Sequence, residues 1–90
     1  MTEERNLLAE FSRILRELLG DDTISLERET TREDVKNWDS MNYVNFIVAV
    51  EMEFHVTFKI ADVESFPNVG SIVDATRELV LKRQNFSKKS

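Results

Sequence analysis

Few side chains in this sequence could work at a reaction centre. Its 90 residues include a single histidine, His55, and no cysteine. Without cysteine the chain can form no disulfide, no thiolate nucleophile and no zinc–thiolate site. Its carboxylates are dispersed along the chain, whereas a metal site needs its ligands clustered. We therefore expect no catalytic residue, no metal ligand and no enzymatic activity of its own.

A nucleophilic serine would have to be activated by His55, as in a serine–histidine–acid triad. Ser40 is the serine that the sequence singles out, at the start of a predicted helix over 40–54. If one helix connects them, Ser40 and His55 lie roughly 22 Å apart, at 1.5 Å of rise per residue. That distance argues against a hydrolase. We expect His55 to be an ordinary residue at the C-terminal end of the helix.

The pair Asp39-Ser40 is the most informative place in the chain. Asp before a helix is a common start signal, because its side chain accepts hydrogen bonds from the free N–H groups of the first turn. In an arbitrary protein the pair would mean no more than that. Here it follows a long segment without periodicity, residues 20–38, and opens the most apolar helix of the chain. A long loop in a small domain indicates either wrong boundaries or a functional loop.

The helices that must position this pair are visible as hydrophobic periodicity. Residues 4–19 predict an amphipathic helix, with Thr2 as a candidate N-cap and Gly20 as the stop. The helix over 40–54 is apolar around most of its circumference, with Val44, Ile47 and Val48 expected to share one face. One side can face the core, so the rest must face cargo, a partner or solvent.

The second half of the chain predicts a short link and two more helices. Residues 56–58 alternate apolar and polar, as in a short extended segment. A short helix over 60–66 is expected to turn Ile60 and Val63 inward, and Pro67 ends it. Asn68 is a natural N-cap for a last helix, which the apolar pattern predicts from Val69 to about Arg83.

These elements predict an all-α domain. We expect a four-helix up-and-down bundle of three longer helices and one short helix, with a long loop between helices 1 and 2. Residues 1–83 would form the domain, and residues 84–90 a frayed basic C-terminal tail.

Charge and hydropathy limit the partners. The net charge is −5, and residues 82–90 carry +4, so the rest of the chain is strongly acidic. An acidic surface repels phosphate backbones, and we expect no nucleic-acid partner. The longest apolar run, residues 46–50, is too short to cross a bilayer, and the N-terminus lacks a signal-peptide pattern. We expect a soluble, cytoplasmic monomer that does not bind membranes.

Several segments together resemble the acyl and peptidyl carrier proteins. Asp39-Ser40-Met41 stands where the family usually has Asp-Ser-Leu, and residues 44–54 are similar to the family's second helix, which ends in acidic residues and Phe. Residues 56–58 are similar to its short apolar link, and residues 68–73 resemble the opening of its last helix. The resemblance covers roughly residues 4–82.

The resemblance implies a prosthetic group. A 4′-phosphopantetheine from coenzyme A would be attached to Ser40 by a separate phosphopantetheinyl transferase. Asp39 would help to place the magnesium ion used in that transfer, and Met41 would flank the arm and contact partner enzymes. Helix electrostatics are consistent with attachment at Ser40, because a phosphodiester at a helix N-terminus lies at the positive end of the helix dipole. The arm would also supply the thiol that the chain lacks.

The sequence departs from the family along the second helix. Asn42, Asn45 and Met52 occupy positions where the family often has acids that dock on basic enzyme patches. One interpretation is a partner interface that relies on apolar contact more than on charge, and the other is that these side chains belong partly to the core. We predict the partner-binding residues to be Met41, Asn45, Val48, Glu51 and Met52.

The sequence leaves three alternatives open, two for the cargo and one for the class of function. The first is an acyl intermediate of fatty-acid, polyketide or related specialised biosynthesis, handled by acyl-loading and acyl-processing enzymes. The second is an aminoacyl or peptidyl group, including D-alanyl, since Asp-Ser-Met also occurs in that type of carrier. A third reading, from another class of function, is an unmodified helical adaptor for protein partners.

Overall fold

The computed structural model of the chain describes residues 4–89, with side chains described for residues 4–83. The predicted N-cap Thr2 lies outside the described residues. Within them the protein has four α-helices and no strand, which confirms the predicted fold class. A 3₁₀ turn, Arg32–Asp34, interrupts the first connection. The helices are α1 (Glu4–Leu19), α2 (Ser40–Phe54), α3 (Ile60–Ser65) and α4 (Val69–Lys89).

Two helices end in the same way, although only one has the expected glycine. Gly20 follows α1 with a φ of 65°, and the next N–H, of Asp21, donates to the Arg16 carbonyl at 3.1 Å. His55 follows α2 with a φ of 56°, and the next N–H donates to the Glu51 carbonyl at 3.1 Å. A left-handed residue closes a helix by satisfying its last carbonyls. His55 therefore has a structural role.

The last helix starts where the sequence predicts and runs further. The Asn68 side chain accepts from the Ser71 N–H at 3.0 Å, which confirms the N-cap. The helix continues to Lys89, past the predicted end at Arg83. No glycine or proline lies between these two residues to stop it. The predicted end of the helix at about Arg83 is therefore wrong. A domain boundary at residue 83 and a frayed basic tail over residues 84–90 stay predictions. In the described residues no helix combines the length and apolarity needed to span a membrane.

The core forms where α1 packs against α2 and α4. The Phe11 ring meets the ring of Phe46 edge-on at 5.5 Å, and Phe46 in turn meets Trp38 at 5.3 Å. Edge-to-face pairs at this spacing are favourable arrangements of aromatic rings. The buried apolar residues are Leu7, Phe11, Ile14, Leu15, Ile24, Leu26, Trp38, Phe46, Ile47, Val50, Val56, Phe58, Val69, Ile72, Val73 and Val80.

The orientation of α2 differs from the prediction. Phe46, Ile47 and Val50 are its buried residues. Val44 and Val48, which we expected on the same face as Ile47, are exposed. A helix that is apolar all round carries no signal for which stripe faces the core, so its packing against α1 decides the orientation.

The first connection, residues 20–39, is tied to the bundle. Ile24 and Leu26 are buried, and the buried Ser12 hydroxyl accepts from the Leu26 N–H at 2.9 Å while donating to the Leu8 carbonyl. The Arg16 guanidinium donates to the Ile24 carbonyl at 2.6 Å. The long loop is therefore ordered by hydrogen bonds that periodicity cannot reveal.

The same connection is also tied to the start of α4. The Arg28 carbonyl accepts from the Gly70 N–H at 2.8 Å, and a Cβ on Gly70 would stand 3.0 Å from that carbonyl. The Arg28 guanidinium forms ion pairs with Glu4 and Asp74, the latter at 2.7 Å. Arg28 thus joins α1, the first connection and α4.

The second connection, residues 55–68, contains α3, and one prediction about it is wrong. Ile60 is 77% exposed instead of inward, and Val63 is half-buried. The rings of Phe58 and Phe66 meet edge-on at 5.8 Å on either side of α3. Because these two side chains supply the contact with the core, the first turn of α3 projects from the surface.

Candidate functional site

Ser40 is exposed and is the first residue of α2. The Asp39 carboxylate accepts from the Asn42 N–H at 2.9 Å, as expected of an N-cap. The N–H groups in the first turn of a helix have no partner within the helix. The Ser40 hydroxyl is therefore open to solvent beside backbone donors, as the sequence predicts.

The turn before α2 determines which residues at the start of this helix face the core and which face outward. Asn37 has a left-handed φ of 70°, and its carbonyl accepts from the Asn42 side chain at 3.0 Å. Trp38, the next residue, is 4% exposed and packs into the core, while Asp39 and Ser40 face outward. A buried tryptophan two residues before the serine therefore anchors the exposed site to the rigid part of the fold.

A cavity of about 480 Å³ opens beside Ser40. Part of its wall is polar and comes from residues 30–33 of the first connection. Another part is apolar and comes from the helices and from the turn before α4, with Val44, Val63, Phe66 and Ile72. This cavity is not predicted above from the sequence. The long loop and the highly apolar α2 are the sequence features that could have indicated it.

Tyr43 connects two walls of the cavity. Its hydroxyl donates to the Val63 carbonyl of α3 at 2.6 Å, and the Arg32 guanidinium lies 5.0 Å from its ring centroid, within range for a cation–π contact. Burial raises the pKa of Tyr43, against a smaller lowering by the charge of Arg32. The neutral hydroxyl that donates to α3 is therefore the stable form over the ordinary pH range.

An apolar stripe runs along the outside of α2 from the site. We define it by Met41, Val44, Val48 and Met52, which are 75%, 54%, 45% and 72% exposed. Residues three and four apart share one side of a helix, so the stripe is continuous. Asn45 is exposed beside it. Four of the five predicted partner-binding residues therefore lie at the surface of α2, along the helix that begins at Ser40.

The carboxylates around α2 have partners inside the fold. Glu51 is half-buried and accepts from the Phe58 N–H at 2.8 Å. Glu53 pairs with Arg13 of α1 at 3.4 Å, and Asp39 caps the helix. The structure thus gives Glu51 a role in holding the link after α2, apart from any role in partner binding.

The single histidine of the chain is far from Ser40. His55 lies at the opposite end of α2 from Ser40, and its carbonyl accepts from Arg83. The two residues expected to be too distant for a triad are therefore not brought together. Across the residues that the structure describes, no three His, Cys, Asp or Glu side chains cluster as a metal site would require.

Comparison with known proteins gives two matches. A family profile described as phosphopantetheine attachment site matches residues 9–76. The solution NMR structure of a holo acyl carrier protein from Geobacter metallireducens is similar, with 29% sequence identity and a TM-score of 0.80. The similarity covers 87% of this chain and 90% of that one. A comparison with curated proteins gives no significant match.

Proposed function

Since the chain belongs to the phosphopantetheine-attachment-site family, we propose that it is an acyl carrier protein with its arm on Ser40. The family and the fold support a covalently bound 4′-phosphopantetheine. The observation that carries the assignment of Ser40 is its position, exposed as the first residue of α2 and preceded by the capping Asp39. Proteins of this kind carry intermediates and leave catalysis to other enzymes.

In the loading reaction the group of this chain that forms the new bond is the Ser40 hydroxyl. In the active site of the transferase, the Ser40 oxygen bonds to the phosphorus nearer the pantetheine in coenzyme A. The bond from that phosphorus to the bridging oxygen breaks, 3′,5′-adenosine bisphosphate leaves, and the hydroxyl proton passes to a base of the transferase. Asp39 is the residue that would hold the magnesium ion. The phosphodiester that forms lies beside the free N–H groups of α2, which favour an anion.

The test of Ser40 is incubation with coenzyme A and a broad-specificity transferase, followed by intact-mass measurement. We expect the wild type to gain one phosphopantetheine and Ser40→Ala to gain none. Ser65→Ala, which removes another exposed serine hydroxyl, is the matched control and should be modified in full. A wild type that stays unmodified would favour the adaptor alternative. If Ser40→Ala were still modified, the attachment site would be a residue other than Ser40.

The apolar stripe supports a proposal about partners. The transferase and the acyl-loading and acyl-processing enzymes would dock on Met41, Asn45, Val48 and Met52, with apolar contact supplying most of the affinity. The nearby acids already have partners within the fold, as described for Glu51. Docking that does not use ion pairs depends weakly on salt.

Two measurements test this surface, both with the transferase as partner. First, kcat/KM should change little between low and high salt, and a steep loss would contradict the proposal. Second, Val48→Glu should lower kcat/KM by about tenfold, the effect of losing about 1.4 kcal/mol of apolar contact. Leu81→Glu is the matched control, because Leu81 is 47% exposed and Val48 45%. Equal effects of the two substitutions would argue against a specific stripe.

The cavity beside Ser40 favours acyl cargo. Its volume of about 480 Å³ lies within the range of small-molecule sites, and an acyl chain that folds back from the arm would leave water. This supports our proposal that the protein serves fatty-acid, polyketide or related specialised biosynthesis, with aminoacyl or peptidyl cargo as the alternative. We propose separately that it works in the cytoplasm. Loading with octanoyl or alanyl pantetheine separates the two, because only the chain that enters the cavity should shift NMR signals of Val63 and Ile72.

A further inference from the structure

We infer that the cavity beside Ser40 selects acyl chains that carry a keto or hydroxyl oxygen over plain alkyl chains, and that Trp38 is the residue that recognises the oxygen. This inference rests on the proposed function, because it concerns the cargo of the same arm. Three features of the structure carry it: an indole N–H without an acceptor, a polar wall, and a neighbouring wall that is weakly held.

The first feature is the indole of Trp38. The side chain lines the cavity and is 4% exposed, and its Nε1–H is a buried donor without a hydrogen-bond partner among the described residues. Most buried polar groups in proteins have partners, so an exception needs an explanation. A bound molecule that offers an acceptor oxygen would explain it.

The second feature is the polar part of the wall. Arg32 lines the cavity, half-buried over the ring of Tyr43, and its guanidinium forms no ion pair with the carboxylates that the structure describes. Thr30 and Thr31 lie in the same wall. A cavity built only for an alkyl chain gains nothing from these groups. A chain with an apolar body and an oxygen substituent matches both parts of the wall.

The third feature is access. The indole nitrogen is enclosed, so the cargo must displace a wall to reach it. α3 buries none of its residues, and its hydrogen bond to another helix, within the described part of the chain, is the one from Tyr43 to the Val63 carbonyl. A segment with few buried contacts opens at low free-energy cost. The wall formed by α3 is therefore the one that yields.

Selectivity follows from the difference between the two kinds of cargo. An alkyl chain that reaches Trp38 leaves its N–H unpaired, whereas an oxygenated chain pairs it. A site with a buried donor discriminates against ligands that lack the acceptor. The net value of one hydrogen bond corresponds to about a two- to tenfold preference.

The experiment uses the single tryptophan of the chain as its probe. The arm is loaded with octanoyl, 3-oxooctanoyl or 5-oxooctanoyl groups by the transferase from the matching coenzyme A thioesters. The ¹⁵N–¹H signal of the Trp38 indole is then recorded for each. We expect at least one keto chain to move this signal downfield and to slow its exchange with water, and the octanoyl chain to do neither. Identical effects of all three chains, or none, would overturn the inference.

A variant gives a second readout. Trp38→Phe keeps an aromatic ring and removes the N–H. In the wild type, the thioester of the responding keto chain should hydrolyse about two- to tenfold more slowly than the octanoyl thioester, after normalisation to the same thioesters of free pantetheine. In Trp38→Phe this ratio should fall to about one. A ratio that survives the substitution would assign the selectivity to another group.

Failure of the proposed carrier function and failure of the oxygen selectivity would give different experimental results. If intact mass shows no modification of Ser40, the proposed function fails before any cargo is compared. If the arm is attached and the indole signal does not distinguish the chains, the carrier function stands and only the oxygen selectivity is lost. If Trp38→Phe does not fold, the indole signal of the wild type still decides the question.

Discussion

The two connections between the long helices contrast in how they are held. The first, residues 20–39, has buried Ile24 and Leu26 and hydrogen bonds to α1 and α4. The second, residues 55–68, has Val56 and Phe58 buried in its link after α2, but its helix α3 buries none of its residues. Regular secondary structure is therefore a poor guide to rigidity in this protein. Buried side chains and bonds to neighbouring elements decide which connection is firm.

This contrast has a consequence at the cavity. Both connections contribute walls, residues 30–33 from the first and Val63, Glu64 and Phe66 from the second. A firm polar wall beside a weakly held one allows the cavity to widen without disturbing the start of α2. Under the proposed function, Ser40 would stay fixed for partner enzymes while the space beside it adapts to cargo.

The largest effect should come from removing an anchor of the first connection. Leu26 is 4% exposed, so Leu26→Ala should lower the free energy of unfolding by about 2–5 kcal/mol, through lost burial and the cavity left behind. Ile60→Ala in α3 is the matched substitution, and because Ile60 is exposed we expect a change within about 0.5 kcal/mol. Urea denaturation measures both. Similar losses for the two variants would refute the contrast between the connections.

A smaller and more local effect should follow from releasing α3. Tyr43→Phe removes the hydrogen bond to the Val63 carbonyl and should lower the free energy of unfolding by about 0.5–1.5 kcal/mol. Amide exchange should speed up in residues 60–65 and stay unchanged in residues 24–30. Faster exchange in both segments would mean that the two connections open together.

Ionisation of Tyr43 should also make the free energy of unfolding depend on pH in alkaline solution. Burial raises the pKa of Tyr43 above its ordinary value of 10.0. As the pH rises, the unfolded chain ionises first, so this stabilisation is complete below about pH 10 and is lost as the pH passes through the folded pKa. Tyr43→Phe should lack this part of the alkaline loss in urea titrations at increasing pH. If Tyr43→Phe lost as much stability at alkaline pH as the wild type, that loss would come from the ionisation of other groups.

The smallest effect concerns the ion pair that joins the first connection to α4. Hydrogen bonds from Arg28 lower the pKa of Asp74 below its ordinary 3.8, so this pair stabilises the fold above that pH and is lost as pH falls through the folded pKa. Because the pair is exposed to solvent and screened, Asp74→Asn should cost about 0.2–1 kcal/mol at neutral pH. Stability of the variant should also fall less steeply in acid. Asp62→Asn, at an exposed position of α3, should change neither the stability at neutral pH nor its fall in acid.

The helix starts and stops were predictable because caps are local. Asp39 and Asn68 bond to N–H groups three residues away, and Gly20 ends α1 through its own backbone conformation. Such interactions need only neighbours in the chain, so the sequence carries them directly. The end of α4 was not predicted correctly, because the apolar pattern stops near Arg83 while the helix runs on to Lys89, and no glycine or proline follows Arg83 to end it.

The inward and outward faces were harder to predict. Ser12 lies within the apolar stripe of α1, a signal that a partner must reach its hydroxyl, yet nothing in the sequence names Leu26 as that partner. The sequence correctly places Gly70 in the opening of the last helix, but it does not show that a side chain on Gly70 would meet Arg28 across the fold. Both residues depend on a contact distant in sequence, and local patterns contain no information about such contacts.

The sequence by itself determined the four helices, the serine at the start of α2 and the absence of a thiol, because periodicity, capping and composition are properties of neighbouring residues or of counts. Only the tertiary structure decided which stripe of α2 is exposed and that Ile60 points outward. It also decided that a cavity lined in part by Trp38 lies beside Ser40, and that the Trp38 N–H is buried without a partner among the described residues. These features arise where α2, α3, α4 and the first connection meet. Their burial is set by packing between segments far apart in the chain.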